Sequence, residues 1–208
     1  MPSYRLILAS TSERRRHLLA EAGFHFESFD PGDAEESIQT ASSPAALAVA
    51  KARLKAAAGA DRFAGSGPAI VIGADTLVAT GGSTPEVIGK PLDRTDAKCI
   101  LTRLSGTRHR VISGLCLWPV GGSRGAGNPP WTIDVSTWVT MRQMDAAEID
   151  AYVASGESDG KAGAYAIQER GDRFVAGVEG SFANVVGFPI EVFREVLPDR
   201  VREWGFDA

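Results

Sequence analysis

Cysteine is scarce in this chain: among 208 residues there are two, Cys99 and Cys116. Their spacing fits neither a CxxC redox pair nor a metal knuckle, so both read as small apolar core residues. Histidine is equally thin, and His17, His25 and His109 stand at separations that assemble no zinc site. No window approaches the roughly 18 uninterrupted apolar residues of a membrane-spanning helix. The opening MPSYRLILASTSERRR has an apolar run of only about four residues, ahead of its arginines, which is too short and in the wrong order for a secretory signal. A cytoplasmic protein with no membrane partner is therefore expected. An excess of positive charge is missing too. A formal net charge of -4 and a pI near 5.4 argue against a surface built to coat nucleic acid, so any polyanion has to be caught locally. Neither GxxxxGK[ST] nor a complete GxGxxG unit occurs, which disfavours a P-loop or a dinucleotide fold.

What is present is a foldable chain, 44% hydrophobic and 23% charged, of a length that suits one domain or one domain with an appended lobe. Tyr4 to Ala9 reads as an apolar strand, and Ser10 or Ser12 caps a helix that runs to about Ala22 and stops at Gly23. Ser43 before Pro44 starts an Ala-rich helix to about Ala60, with Lys51 and Lys55 four apart on one face. Ala69 to Gly73 reads as a buried strand that delivers Asp75 and Thr76 at its far end, followed by a turn-rich connection from Gly81 to Lys90. Asp93 opens a helix to about Leu104. His109–Val120 and Thr132–Met141 read as two strands joined by GGSRGAGNPP, a long hairpin whose tip looks like filler. Asp145 and Glu148 form a capping-box pattern for a helix to about Ala154. Arg173 to Glu179 is a strand candidate, and Pro189 opens a last helix to about Leu197. Strands alternating with helices around an antiparallel hairpin predict a mixed α/β architecture.

Three groups of residues could carry chemistry. Ser10-Thr11-Ser12-Glu13-Arg14-Arg15-Arg16 brings hydroxyls, unpaired backbone N–H groups and guanidiniums together at a helix N-terminus, where a polyphosphate can be held from several sides. Gly73-Ala74-Asp75-Thr76 puts a carboxylate after an apolar run, where it can hold a divalent metal or orient a water. Gly89-Lys90-Pro91 and Lys161-Ala162-Gly163-Ala164-Tyr165-Ala166-Ile167-Gln168 each set a lysine among small residues that permit close approach of a ligand. Taken singly, each also reads blandly as a capped helix, a turn, or a loop with a solvated lysine. On the residues alone the conclusion stops at a polyanion-binding α/β enzyme.

In order along the chain, LILASTSERRRHLLAEAGF, VIGADTLV, GKPLD, LSGTRHRVISG, ASGESDGKAGAYAIQ and VEGSFANVVGFP resemble the Maf family of nucleotide pyrophosphatases, from about residue 4 to 197. The resemblance implies a twisted mixed sheet flanked by helices, one domain over 1–208 in two lobes with the active cleft between them, and a fold related to inosine triphosphate pyrophosphatases. It implies cleavage of a nucleoside triphosphate to the monophosphate and pyrophosphate, a Mg²⁺ or Mn²⁺ cofactor, and a homodimer as a common state. The GADT and KAGAY-IQ segments resemble those of the subgroup acting on dTTP and UTP.

Carried across motif by motif, Asp75 is the implied general base and, with Glu36, a metal ligand. Arg15, Thr76 and Gln168 fall at base-selecting positions, and Ser10, Arg14, Lys51, Lys90 and Lys161 fall at positions that cradle the triphosphate. Four residues depart from the family pattern: Glu13 for a proline, Ala166 for a glycine, Phe182 for a tyrosine and Ala183 for a serine. Two rival readings remain. One is the same chemistry on another nucleotide such as 7-methyl-GTP. The other is a non-catalytic regulator of cell division that binds nucleotide or nucleic acid, which retention of Asp75 and the cationic set argues against.

Overall fold

A computed structural model describes residues 4–121 and 128–206. The chain enters through β1 (Arg5–Ala9), buried from Leu6 onward, and turns into α1 (Glu13–Glu21), whose N-cap is Ser12. The Ser12 hydroxyl accepts from the Arg15 N–H, and Gly23, at φ +83°, takes the left-handed turn past the helix end. The strand β2 (Glu27–Phe29) lies parallel to β1, with Ile7 opposite Glu27. A 3₁₀ turn at Ala34–Ser37 follows, then α2 (Pro44–Arg62), capped by Ser43 with Pro44 in its first turn.

The strand β3 (Ala69–Thr80) is 12 residues long, so Asp75 and Thr76 lie within it rather than at its far end. The ladder simply continues: Val78 and Ala79 pair antiparallel with Ile88 and Val87 of β4 (Val87–Ile88). After α3 (Arg94–Leu104), capped by Asp93, come β5 (Arg108–Val120) and β6 (Trp131–Met141). Residues 122–127, the tip of the connection that reads as filler, lie outside the described residues. The capping box of α4 (Ala146–Ala154) is present in full. The expected strand at Arg173–Glu179 begins only at Val175, because Arg170–Phe174 forms a 3₁₀ turn ahead of β7 (Val175–Glu179). A short α5 (Phe182–Val186) precedes α6 (Ile190–Glu203), which passes Leu197 and Pro198 because Val201 and Trp204 beyond them are buried core residues.

The result is a seven-stranded sheet in the order β2-β1-β3-β5-β6-β7, with β4 paired to β3. It is mixed, since β1 runs parallel to β2 and β3 while β6 and β7 are antiparallel. The chain divides into two compact units, one from Met1–Asp75, Ser113–Val135 and Gly187–Ala208, the other from Thr76–Ile112 and Ser136–Val186. Among the described residues no helix is long and apolar enough to cross a membrane.

In the first unit both faces of the strands are covered, as their nearly unbroken apolar sequence demands. Leu6, Leu8, Ile70 and Ile72 pack with Leu19, Phe193, Leu197 and Trp204 of the α1 and α6 side. Ile7, Ala9 and Val71 face Ala52 and Ala56 of α2. That second layer is unusually close. A Cβ on Gly73 would lie 2.1 Å from the Ala52 carbonyl oxygen, and one on Gly114 would lie 2.2 Å from that of Ala48. Alanines on the helix and glycines on the strands thus let backbone meet backbone. In the second unit α3 and α4 supply Leu101, Leu104, Ile149 and Tyr152 to a core where Tyr152 meets Phe174 edge-on at 5.2 Å. There Asn184 Nδ2 donates to the Val111 carbonyl and to Thr137 Oγ1, each at 3.1 Å.

Gly114→Ala is expected to destabilise the protein by roughly 1–3 kcal/mol through overpacking against the α2 backbone. Gly177→Ala, where nothing lies within 4 Å of the new Cβ, is expected to leave the thermal midpoint nearly unchanged. Equal midpoints for the two variants would contradict this account of how α2 is seated.

Candidate functional site

The close seating of α2 brings Lys55, 6% exposed, up to two carboxylates. Its Nζ lies 2.8 Å from Asp75 Oδ1 and 2.8 Å from Glu35 Oε1. Asp75 is largely enclosed and Glu35 about a quarter exposed, with side-chain exposures of 13% and 26%. Burial alone would raise the pKa of Glu35, but hydrogen bonds from Lys55 and from its own backbone, with the charges of Lys55 and Lys51, hold it below the ordinary carboxylate range. Glu35 Oε2 is buried without a hydrogen-bond partner. An unpaired buried carboxylate oxygen is costly, and here it leaves an electron pair for a cation. Lys55 and Glu35 are the site residues that sequence reasoning missed. The signal for Lys55 was its pairing with Lys51 on one helix face, and only burial separates the two. The adjacent Glu35 and Glu36 could not be told apart, and in the structure Glu36 is exposed while Glu35 meets Lys55.

The hydroxyl of Ser10, 5% exposed, accepts from the Ser12 N–H at 3.2 Å and from Arg15 Nη1 at 3.3 Å. Both lone pairs are then engaged, which leaves the hydroxyl proton to donate to an incoming group. Arg15 is buried and its Nε donates to the Gly187 carbonyl at 3.0 Å. Burial pushes its pKa down, opposed by the charges of Asp75 and Glu35. Arg15 thus braces Ser10, whereas Arg14 is exposed and Lys51 half-buried. Glu13 sits in the first turn of α1, where a negative charge favours the helix end, and its exposed carboxylate meets Arg16 at 3.5 Å.

The other unit holds the remaining predicted residues. Thr76 is half-buried on β3, while Lys90 and Gln168 are exposed. Lys161, 14% exposed, donates from Nζ to the Glu157 carbonyl at 2.7 Å and lies 3.7 Å from Glu169. The Gly163 N–H donates to the Gly89 carbonyl at 3.1 Å, so the Lys90 and Lys161 segments are joined through backbone. Of the residues that depart from the family pattern, Ala166 and Ala183 are buried and Phe182 is half exposed. Among the described residues no three His, Cys, Asp or Glu side chains converge as a ready metal cage. The Asp75–Glu35 pair, with its unpartnered Oε2, instead fits a hard cation held by one or two carboxylates that completes its shell with phosphate oxygens and water.

The family model described as Maf-like protein matches residues 5–200. The chain belongs to the Maf family. Curated relatives agree along nearly its whole length. A dTTP/UTP pyrophosphatase of Moorella thermoacetica is 44% identical over 197 residues, covering 93% of this chain and 93% of that one. One from Anaeromyxobacter sp. (strain Fw109-5) is 43% identical, covering 94% and 89%, and one from Vibrio cholerae is 42% identical, covering 93% and 96%. Among solved structures, a nucleoside-triphosphatase / dITP/XTP pyrophosphatase from Mycobacterium abscessus matches with a TM-score of 0.40 at 13% identity, over 96% of this chain and 95% of that one. That likeness is too distant to weigh on the fold.

In this Maf-family chain, Lys55→Met strands Asp75 and Glu35 beside each other without their shared cation. The expected loss is on the order of 2 kcal/mol, below the roughly 3–5 kcal/mol of a fully buried pair because Glu35 keeps some solvent. Added Mg²⁺ is expected to raise the thermal midpoint of Lys55→Met more than that of the wild type. Equal shifts would contradict the pair as a cation seat.

Proposed function

We propose that this Maf-family chain hydrolyses dTTP and UTP at the α–β phosphoanhydride bond, releasing the nucleoside monophosphate and pyrophosphate, with Asp75 as the general base. The relatives named for that activity support the reaction. The observation that carries the assignment of the centre is the enclosed Asp75 carboxylate, fixed by Lys55 beside a second carboxylate on Glu35. A base that takes a proton from water must be held in place. The Lys55 ammonium does this, fixing the orientation of one oxygen, Oδ1, at 2.8 Å and leaving the other to meet the water.

The substrate's charge is matched by residues already described. Ser10, with its lone pairs taken, offers a proton to a phosphate oxygen, and Arg14, Lys51, Lys90 and Lys161 supply cationic partners for the rest. Thr76 and Gln168, with Arg15 fixed behind Ser10, read the base: a side-chain amide satisfies the imide edge of uracil or thymine, and another base would leave those groups unpaired. Asp75 and Glu35, with Glu36 next in sequence, are the residues that would hold Mg²⁺ or Mn²⁺. When bound, such an ion supplies charge neutralisation of the phosphate oxygens. Loss of pyrophosphate then needs little covalent help from the protein, whose task is to position and neutralise. On the family resemblance, the same reading extends to a cytoplasmic homodimer.

The test is pyrophosphate release with Mg²⁺ across dTTP, UTP, CTP, GTP, ATP and 7-methyl-GTP at matched concentrations. Preferential turnover of dTTP and UTP is expected, and Asp75→Asn is expected to lower it by roughly a hundredfold or more while nucleotide binding survives. Preference for 7-methyl-GTP, or undiminished turnover by Asp75→Asn, would overturn the corresponding half of the proposal.

A further inference from the structure

The proposed chemistry leaves unused a buried polar pair in the second unit. His109 is 1% exposed and Tyr165 6% exposed. His109 Nε2 and the Tyr165 hydroxyl are 2.9 Å apart, with the rings edge-on at 5.6 Å and 82°. A phenylalanine against a leucine would fill similar space with less desolvation. The bond pairs Nε2 with the hydroxyl while His109 Nδ1 stays buried without a partner, so the pair is kept at a desolvation cost, and such a cost is tolerated where the bond specifies one geometry.

The backbone around Tyr165 is held to one geometry as well. Gly163 (φ +74°) and Ala164 (φ +59°) are successive left-handed residues, and Ala164 is the one non-glycine with positive φ among the described residues. An L-residue stays in that region only when its surroundings over-determine it, and such outliers gather at binding sites. The surroundings here are specific. The Ala164 N–H donates to the Lys161 carbonyl at 3.0 Å, and the Gly163 N–H to that of Gly89 at 3.1 Å. The Ala166 N–H donates to the Tyr152 hydroxyl at 3.1 Å. A Cβ on Gly163 would stand 3.1 Å from Val78 and 3.3 Å from the Tyr165 ring. Tyr165 is thus the buried anchor of a segment whose exposed end carries Gln168 and whose start carries Lys161.

We propose that Tyr165, tied to His109, is a positioning residue for base selection: the hydroxyl–imidazole bond fixes the depth and rotation of the anchor, and through it the place of the Gln168 amide. This rests on the reading of Gln168 as a base-reading residue. A hydrogen-bonding site discriminates only while its groups stand where the correct base meets them, so a shift of the anchor costs discrimination before it costs phosphate binding. Burial suits the pair to the task. It lowers the His109 pKa to about 4 and raises that of Tyr165, so both stay neutral across the physiological range.

The experiment compares kcat/KM for UTP and CTP in the full-length wild type and in Tyr165→Phe, Gln168→Ala, the double variant, His109→Gln and His109→Leu, with thermal midpoints alongside. Tyr165→Phe is expected to cut the UTP-over-CTP ratio by roughly ten- to a hundredfold, chiefly through a higher KM for UTP. The double variant is expected to fall no further than Gln168→Ala alone. His109→Gln, which can set a side-chain nitrogen near the place of Nε2, is expected to keep most of the ratio, and His109→Leu to lose it. That last pair carries the comparison if Tyr165→Phe does not fold. A ratio lost in Gln168→Ala but kept in Tyr165→Phe and His109→Leu, even with lower midpoints, makes the pair a structural brace and overturns the positioning role. A wild type without preference for UTP, or a preference that survives Gln168→Ala, overturns the proposal through the reading beneath it.

Discussion

One ammonium group organises the candidate centre. Lys55 Nζ stands 2.8 Å from each of two carboxylates, Asp75 and Glu35, that would otherwise repel. A lysine this enclosed is tolerated only because it is paired, and the pairing is possible only because α2 lies against the sheet with no side chain between. Ala48 and Ala52 on the helix and Gly73 and Gly114 on the strands set that distance. The packing of small residues and the electrostatics of the site are one constraint: a larger residue at either glycine would lift the helix and draw the charge away from Asp75.

Much of this was legible in the sequence for local reasons. Ser12, Ser43, Asp93 and the Asp145–Glu148 box cap their helices as their residue types require. The apolar runs at Leu6–Ala9 and Ala69–Gly73 became strands covered on both faces. Where the sequence misled, a distant partner decided. The strand β3 continues beyond Asp75 because β4 pairs with it, and α6 passes Pro198 because Trp204 finds the core. Periodicity along one segment contains neither fact. The same holds at the site. Asp75 and the serine–arginine helix start announce themselves by type and place, whereas choosing Glu35 over Glu36, or Lys55 over Lys51, requires knowing which side chain the packing buries.

Each of the two units carries its own candidate residues. In the first, Arg15 braces Ser10 while Lys55 holds Glu35 and Asp75, charged groups suited to phosphate and water. In the second, the segments that carry Lys90 and Lys161 are joined by a backbone hydrogen bond from the Gly163 N–H to the Gly89 carbonyl. Gln168 follows from an anchor of buried aromatic and imidazole groups.

The central claim is that water attacks the α-phosphorus of the nucleotide. Turnover of UTP in H₂¹⁸O, with the products separated and weighed by mass spectrometry, tests it directly. The account predicts one ¹⁸O atom in the nucleoside monophosphate and none in the pyrophosphate; label in the pyrophosphate, with unlabelled monophosphate, would mean attack at the β-phosphorus and contradict it.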